Sequence, residues 1–192
     1  MAANPIEPAS QSPSQPSSPW HRGETTLQKI VGVADRMETF GQRAIRDHMP
    51  DQHRQFYAQL PFIVAGGVDP QGDAWATLLT GDPGFIQSPD PRRLSIATHL
   101  DEHDPATAGL SDGDAIGLLG IELHTRRRNR LNGTVRSGSG KGSAFDVLVE
   151  HSFGNCPQYI QLRDFRFVDD AAGRVTPRPE LSDHLDMRGR AA

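Results

Sequence analysis

Four arginines fall within five consecutive residues, and this spacing predicts an anion-binding site. If the segment is a strand, alternate side chains share a face, so Arg126, Arg128 and Arg130 line one side. Arg127 and Asn129 then line the other side. Guanidinium groups this close repel one another unless an anion or carboxylates compensate, and arginine binds a phosphate monoester through bidentate, charge-assisted hydrogen bonds. We therefore predict phosphate contacts from Arg126, Arg128 and Arg130.

Two other interpretations of the arginine run remain open. The run is also compatible with a solvated basic turn whose charges pair with nearby carboxylates. A nucleic-acid-binding patch is the third interpretation, but the formal net charge is −4 and no aromatic residues are interleaved with the arginines. This charge balance gives no general attraction to nucleic acid or to an anionic membrane, so neither is predicted as a partner.

The segment WATLLTGDPGF could present a small-residue surface to a flat ring. Small and hydroxyl side chains lie among apolar ones on a predicted strand, beside glycines. Such a strand can bring its backbone and its threonine hydroxyls close to a ligand. The candidate ring contacts are Trp75, Thr77, Leu78 and Thr80. The alternative is an ordinary barrel strand followed by a Gly-Pro turn.

The segment SFGNCPQYIQ crowds small, polar and aromatic residues between two regular segments. Asn155 and Gln158 are predicted to satisfy either the polar edges of a ligand or buried backbone groups. Cys156 would need a lowered pKa to act as a nucleophile, and no nearby His-Asp pattern supports that activation. The histidines do not assemble a metal site in the sequence. We therefore predict no catalytic side chain and no metal site.

Helical periodicity precedes these three segments. Apolar residues recur at steps of three and four from Leu27 to Met37, which predicts one face of a helix. Gly32 and Gly41 weaken the pattern, and a break is expected before Ile45.

A second, short helix is predicted from Asp51 to Gln59. Asp51 follows a proline and is the expected N-cap, while Phe56 and Leu60 are expected to face inward.

After Pro61 the periodicity changes to that of strands. Strands are predicted at 62–68, 74–80, 85–87, 94–98, 115–123, 129–137 and 143–151, and a last strand within 159–168 after a helical turn. Residues 88–91 are predicted as a loop, and SGSGKG as the turn before 143. About six regular strands with short, turn-rich links and helices mainly at the front predict a closed or nearly closed antiparallel barrel with flanking helices. A parallel α/β sheet is less favoured because too few helices separate the strands.

The two ends of the chain have a different composition from its middle. Residues 1–20 are almost all Pro, Ser, Ala and Gln and are predicted to be a disordered tail. Residues 21–170 form the expected domain, and residues 171–192 resemble a linker or the truncated start of a following segment. A single cysteine, no apolar run long enough to span a membrane and no signal-peptide pattern predict a cytoplasmic protein.

The motifs occur in an order that resembles a known family. WATLLTGDPGF, SPDPRRLSI, IGLLGIELHTRRRNRLNGTV and VEHSFGNCPQYIQ follow the leading IRDHMPDQHRQFYAQLPFIVAGGVD. Together they resemble bacterial proteins of the pyridoxamine 5'-phosphate oxidase-like, FMN-binding split-barrel family. The resemblance covers about Glu24 to Arg163, and SFGNCPQYIQ and RRRNRLNG are its most specific parts.

The resemblance implies a mainly β protein, an antiparallel split β-barrel of Greek-key type that forms a homodimer. It also implies that FMN lies at the subunit interface, close to the RRRNRLNG strand and the WATLLTG strand. Many relatives are longer, and some are fused to ferredoxin-reductase and iron-sulfur modules. An electron-transfer partner is therefore an expectation as well.

One feature departs from the family pattern. Typical pyridoxamine phosphate oxidases place arginine and lysine on the strand that here reads WATLLTG, whereas this sequence has no basic residue between Arg54 and Arg92. Phosphate contacts would then fall to Arg126–Arg130, to Arg92 or Arg93, or to backbone amides. The expected function is an FMN-dependent oxidoreductase of unknown substrate. A non-catalytic flavin-binding and dimerisation module is the alternative, and FAD or a deazaflavin are alternative cofactors.

Overall fold

The computed structural model describes residues 18–138, 145–156 and 158–167. Within them the helices are α1 (Arg22–Ile30), α2 (Ala34–Ala44) and α3 (Asp51–Ala58), with a 3₁₀ helix at Pro105–Gly109. The strands are β1 (Phe62–Val68), β2 (Ala74–Thr80), β3 (Ile86–Asp90), β4 (Arg93–Ile96), β5 (Ala115–Glu122), β6 (Arg127–Ser137) and β7 (Phe145–Gly154). Most of the predicted tail at 1–20, most of the SGSGKG turn and the segment 171–192 lie outside the described residues.

The strands form one antiparallel sheet in the order β2-β1-β5-β6-β7-β4-β3. The mainly β, antiparallel fold class with flanking helices is confirmed. Strands β2 and β3 are the two edges, so the sheet is not closed by a backbone ladder. A hydrogen bond of 2.9 Å from the Thr98 hydroxyl to the Thr80 carbonyl connects the chain after β4 to the end of β2.

The core lies on one face of this sheet, where α3 packs against β5. Phe56 and Leu60 are almost completely buried, as their spacing predicted. A side chain at Gly120 would collide with them, because an added Cβ would lie 2.7 Å from the Phe56 ring. Burying a side chain of this size stabilises the fold by roughly 1.5–3 kcal/mol. This packing holds the first turn of α3 close to the start of β6.

The helices at the front of the chain break before Ile45, as predicted, but their details differ from the prediction. The predicted apolar face is divided between α1 and α2 by Gly32, whose φ of 71° lies in the left-handed region that glycine tolerates. Gly41 does not break α2; it is buried against Trp20. Asp51 is the first residue of α3, not its N-cap, because Pro50 occupies the cap position without a side-chain hydrogen bond.

The strand bounds of β1 and β2 agree with the prediction, and those of β3 to β7 differ from it by at most three residues at either end. Two further segments differ in kind. The predicted loop at 88–91 is largely strand, because β3 is an edge and Pro89 needs no backbone donor on its open side. The predicted last strand within 159–168 is wrong, since the described residues 158–167 contain no strand. Tyr159 has a φ of 69°, which interrupts an extended run.

The described residues belong to two compact units, one ending at Leu162 and one beginning at Arg163. In the second unit Phe165 and Phe167 pack edge to face with ring centroids 5.5 Å apart. All the site residues discussed below belong to the first unit.

Candidate functional site

The strand register places the arginine run and the WATLLTG strand on a common sheet. We call the face opposite the core the outer face. One row of paired residues crosses five strands on this face. This apolar row consists of Leu78, Val64, Leu119, Arg130 and Phe153. Leu78 is 60% exposed, and Val64 and Leu119 are half-buried, so these three side chains form an open apolar strip that is followed by the guanidinium group of Arg130 and the ring of Phe153.

The neighbouring row on the outer face contains two glycines and an alanine on three adjacent strands. This small row consists of Ala76, Gly66, Gly117, Asn132 and His151. Glycine inside a strand is destabilising and often marks a place where another group approaches the backbone closely. Three of the five positions in this row carry at most one side-chain carbon, so the row is a shallow depression beside the apolar row.

The protein's own packing does not require the two glycines of the small row. A Cβ added at Gly66 would have its nearest neighbour at 3.6 Å, and one at Gly117 at 3.7 Å, which are ordinary contact distances. At Gly133, by contrast, an added Cβ would lie 2.0 Å from the carbonyl oxygen of Leu148. Gly66 and Gly117 therefore leave free space that faces outward.

The arginine run is not a single strand from Arg126 to Arg130. The predicted alternation of side chains is therefore wrong for Arg126. Strand β6 begins at Arg127, and Arg126 lies in the preceding turn with a φ of 59°. Arg128 and Arg130 alternate on the outer side of β6, as predicted, and Arg127 and Asn129 lie on the other side. The turn still brings Arg126 close to Arg128, because both line the same cavity.

This cavity, which we call the arginine pocket, has a volume of about 360 Å³. Its walls include Gln52, His53, Arg126, Arg127, Arg128 and Asn155. Gln52 and His53 lie in the first turn of α3, where the helix dipole favours negative charge. The residues that line this pocket include arginines but no Asp or Glu. The pocket is therefore suited to an anion.

Two buried polar atoms of residues that line the arginine pocket have no hydrogen-bond partner among the described residues. They are Nε of Arg128 and Oδ1 of Asn155. Other atoms of the same residues are bonded: Arg128 Nη2 donates to the Cys156 carbonyl at 3.2 Å, and the Asn155 backbone N–H donates to the Arg128 carbonyl at 2.9 Å. Leaving a buried donor or acceptor unpaired costs about 1–3 kcal/mol, so this wall fits a ligand that supplies both an acceptor and a donor.

The positive charge of Arg127 is balanced by a carboxylate within the protein, whereas no such partner of Arg126 is present among the described residues. Its Nη1 lies 3.8 Å from Oε2 of the buried Glu122, and its guanidinium lies over the Phe56 ring at 5.0 Å. Glu122 also accepts hydrogen bonds from Gln59, at 2.6 Å, and from the Thr125 hydroxyl. No ion pair or hydrogen bond of the Arg126 side chain is present in the described part of the chain. The salt-bridged interpretation of the run therefore applies to Arg127 alone.

His53 is a neutral wall of the arginine pocket. It is 9% exposed, and its Nδ1 lies 2.9 Å from the Ser152 hydroxyl. Burial lowers the pKa of His53, and the charges of Arg46 and Arg127 lower it further. The imidazole therefore does not add to the positive charge of the pocket at neutral pH.

The lowered pKa of His53 predicts a loss of stability in weakly acidic solution. The unfolded chain takes up a proton near its ordinary pKa of about 6.5, whereas the folded chain does so only at lower pH. The contribution of neutral His53 to the free energy of unfolding is thus fully present above about pH 6.5. It decreases as the pH falls towards the pKa of His53 in the folded protein. In urea unfolding, the protein should lose more stability between pH 7.5 and 5.5 than a His53→Gln variant. A His99→Gln variant, altered at an exposed histidine, should behave like the parent; equal pH dependence in all three proteins would contradict this account.

The predicted ring contacts lie on two different faces of β2. Leu78 and Thr80 face outward, on the same side as Arg128 and Arg130. Trp75 and Thr77 alternate with them and lie on the side of the buried Leu79. The four side chains therefore cannot all contact one face of a single flat ring.

Trp75 and Thr77 have hydrogen-bond partners within the protein. The Trp75 Nε1–H donates to Asp69 at 2.8 Å, a bond that lowers the pKa of that carboxyl group. The Thr77 hydroxyl donates to Asp104, the N-cap residue of the 3₁₀ helix. These bonds secure the β1–β2 hairpin and the loop before β5.

Arg130 does not line the arginine pocket but a second cavity, which we call the helical cavity. It has a volume of about 620 Å³ and lies between the α1–α2 segment and the outer side of β6 and β7. Its walls include Trp20, Phe40, Arg130, Asn132, His151 and Phe153. The two cavities share Gly154 and Asn155 as wall residues. Gln158 is exposed and lines neither of the two.

Sequence reasoning missed four residues of this region: Gln52, His53, Gly66 and Gly117. The glycines were visible in AGGV and IGLLG, but only the register between β1 and β5 shows that they are neighbours. Gln52 and His53 lie more than 70 positions from the arginine run, and no local pattern connects the two segments.

The described residues contain neither a candidate metal site nor a candidate membrane-spanning helix. The described residues contain no group of three or more His, Cys, Asp or Glu side chains that could hold a metal ion. None of the helices in the described ranges has the length and apolar character needed to cross a bilayer.

Comparison with known proteins identifies one family. The family model described as pyridoxamine 5'-phosphate oxidase matches residues 49–178 of the 192-residue chain. A search of curated proteins gives no match. Among solved structures, HupZ of Group A Streptococcus has 11% identity and a TM-score of 0.44, covering 60% of this chain and 99% of HupZ. An F420 reductase has 12% identity and a TM-score of 0.35, covering 56% and 97%. Such low scores do not support the transfer of a function from either protein.

Proposed function

The chain belongs to the pyridoxamine 5'-phosphate oxidase family, and from this premise we propose that it binds FMN and acts as a flavin-dependent oxidoreductase. The observation that carries the proposal is the arginine pocket, where within the described residues the Arg126 side chain has no ion pair and the buried Nε of Arg128 has no hydrogen-bond partner. A phosphate monoester supplies the negative charge and the acceptor oxygens that these groups lack.

The phosphate group of FMN is placed in the arginine pocket on Arg126 and Arg128. Asn155 Oδ1 would accept a hydrogen bond from a ribityl hydroxyl, which is the donor that this buried atom lacks. Arg130 lines the helical cavity and is not part of this phosphate site. The assignment agrees with the absence of basic residues on β2.

The isoalloxazine ring is placed on the outer face, over the small row. Gly66, Gly117 and Ala76 expose backbone on which a flat ring can lie, and Leu78 of the apolar row supports its edge. Asn132 and Arg128 are four residues apart on β6, about 13 Å at roughly 3.3 Å per residue. This separation leaves room for the ribityl chain between ring and phosphate.

A second copy of the chain would complete the site. A ring on an open sheet face has one side in solvent, and the exposed Leu78 with its half-buried neighbours Val64 and Leu119 forms an apolar surface beside it. Contiguous exposed apolar surface of this kind marks an interface. The homodimer with its cofactor between subunits is thus part of the proposal.

The flavin itself would supply the electron-transfer chemistry. The protein's residues bind, orient and shield it, so the absence of a predicted acid-base pair among the site residues does not conflict with an oxidoreductase. The alternative, a non-catalytic flavin-binding module, uses the same site and passes electrons to a separate partner. Turnover with a nicotinamide donor distinguishes the two.

The direct test is the absorption spectrum of the purified protein, followed by mass spectrometry of any released cofactor. We expect the two visible absorption bands of an oxidised flavin, one FMN per chain and a dimer in gel filtration. A colourless protein that takes up no FMN during titration would contradict the proposal. Release of FAD or of a deazaflavin would identify a different cofactor but would leave the proposed site unchanged.

A further inference from the structure

The carboxyl group of Glu122 is buried beside the arginine pocket, although Glu122 is not one of the residues that line it. Glu122 is the last residue of β5 and is 7% exposed. By its charge alone, a carboxylate so close to an anion site disfavours the anion. The contribution of Glu122 to the pocket must therefore come from the contacts that its carboxylate makes.

These contacts connect three elements of the fold. Oε1 of Glu122 accepts a hydrogen bond at 2.6 Å from Gln59, the residue that caps the C-terminal end of α3. Oε2 accepts from the Thr125 hydroxyl and lies 3.8 Å from Nη1 of Arg127. Hydrogen bonds to an ionised acceptor are roughly twice as strong as neutral ones. Glu122 thus fixes the turn before β6 relative to α3 and to the first residue of β6.

The turn that Glu122 fixes carries Arg126 in an uncommon backbone conformation. Arg126 has a φ of 59°, in the left-handed region that residues other than glycine seldom adopt. The bonds that close the turn are made by Thr125. Its backbone N–H donates to the Glu122 carbonyl at 3.3 Å, and its hydroxyl accepts from the Arg127 backbone N–H at 3.4 Å. The residues on both sides of Arg126 are therefore anchored to Glu122.

We propose that Glu122 is a positioning residue of the arginine pocket, which holds the turn through the Thr125 hydroxyl so that the Arg126 guanidinium lines the pocket. The same carboxylate balances the charge of Arg127, which leaves Arg126 and Arg128 to bind the anion. The inference rests on the proposed function as far as the anion is the phosphate of FMN. The effect of Glu122 on Arg126 can also be measured with inorganic phosphate, in the absence of a flavin.

Glu122→Gln separates positioning from charge, because the two effects have opposite signs. Removing a negative charge beside the pocket would by itself strengthen FMN binding. Losing the anchor of the turn should instead weaken FMN binding about fivefold, since one of the two guanidinium groups is no longer held in place. Riboflavin binding should change less than about twofold, because riboflavin has no phosphate. Quenching of flavin fluorescence measures both affinities.

Variants of Thr125 test the route through its hydroxyl. Thr125→Val should reproduce the loss of FMN affinity, and Thr125→Ser, which restores the hydroxyl, should recover the affinity of the parent protein to within about twofold. The matched controls are Glu150→Gln and Thr134→Val. The Thr134 hydroxyl donates to Glu150 at 2.6 Å on the exposed surface, and neither residue lines the arginine pocket. Both controls should bind FMN and riboflavin like the parent.

Nuclear magnetic resonance of the arginine Nε–H groups gives a measurement that needs no flavin. When inorganic phosphate is titrated into the ligand-free parent, we expect the signals of Arg126 and Arg128 to shift. In Glu122→Gln and in Thr125→Val, the response of Arg126 should fall at least about threefold, while that of Arg128 remains. A purely structural effect on the domain would change both signals alike.

Four results would overturn the inference. They are unchanged or tighter FMN binding by Glu122→Gln, equal loss of FMN and riboflavin affinity, no recovery in Thr125→Ser, and no phosphate response of Arg126 in the parent. Urea unfolding checks that the variants fold, and Thr125→Val, altered at an exposed residue, keeps the test open if Glu122→Gln does not. If the parent binds no FMN but its Arg126 responds to phosphate only when Glu122 is present, the inference holds and the proposed function is rejected.

Discussion

Replacing Arg126 and Arg128 together with alanine is expected to weaken FMN binding about a hundredfold and to change riboflavin binding by less than about threefold. Hydrogen bonds to charged groups contribute roughly 1.5–3 kcal/mol each, and the loss of two corresponds to at least about a hundredfold in the dissociation constant. Riboflavin has no phosphate and so makes no use of these guanidinium groups. Quenching of flavin fluorescence during titration measures both constants.

The control for this prediction is Arg136→Ala, at the other end of β6. Its ion pair with Asp112 is exposed and is expected to contribute little to stability. Urea unfolding of the double variant shows whether the Arg128–Cys156 hydrogen bond is needed for folding, and Arg128→Lys keeps the charge if it is. Equal loss of FMN and riboflavin affinity in a folded variant would place the phosphate elsewhere.

Replacing Gly66 and Gly117 together with alanine is expected to stabilise the protein while it removes flavin binding. Glycine in a strand is less stable than alanine by roughly 0.5–1 kcal/mol, and neither added Cβ meets a close neighbour. The two methyl groups would instead occupy the space proposed for the ring, where overpacking costs about 1–3 kcal/mol each. We expect at least about a thirtyfold loss of affinity for FMN and riboflavin alike.

Gly133→Ala is the matched control for the glycine pair, because it makes the same change on the adjacent strand. There the added Cβ would collide with the Leu148 carbonyl at 2.0 Å, so this variant should be destabilised. Calorimetry of the ligand-free proteins and gel filtration complete the comparison. If the Gly66 and Gly117 variant binds flavin normally, the ring does not lie on the small row.

The two experiments report on different parts of one ligand. The arginine double variant is expected to lose affinity for FMN but not for riboflavin. The glycine double variant is expected to lose affinity for both ligands equally. A protein in which both results hold has its phosphate in the arginine pocket and its ring on the outer face. Either result alone would retain one half of the assignment and reject the other.

Local chemistry determined much of the fold. The β1–β2 hairpin was predicted to its observed ends, because apolar alternation is bounded there by a proline and by a polar turn. Phe56 and Leu60 were predicted as buried residues for the same reason, since helical spacing places them on one side. The family resemblance rested on segments of this kind, whose residues are close together in the sequence.

Other features depend on interactions that no local pattern contains. Alternation divides β2 into two sets of side chains, but only packing decides that Trp75 and Thr77 lie on the core side and Leu78 and Thr80 on the outer side. Gly32 rather than Gly41 separates the first two helices, because Gly41 is buried against Trp20.

The sequence by itself determined that a cluster of guanidinium groups must find a counter-charge. Only the tertiary structure decided which of them find it inside the protein. All three of Arg126, Arg127 and Arg128 line the arginine pocket. Within the described residues only Arg127 has a carboxylate partner, Glu122, and it also lies over the Phe56 ring. The physical reason is that a one-residue step along a strand reverses the direction of the side chain, so neighbours in the sequence meet different surroundings.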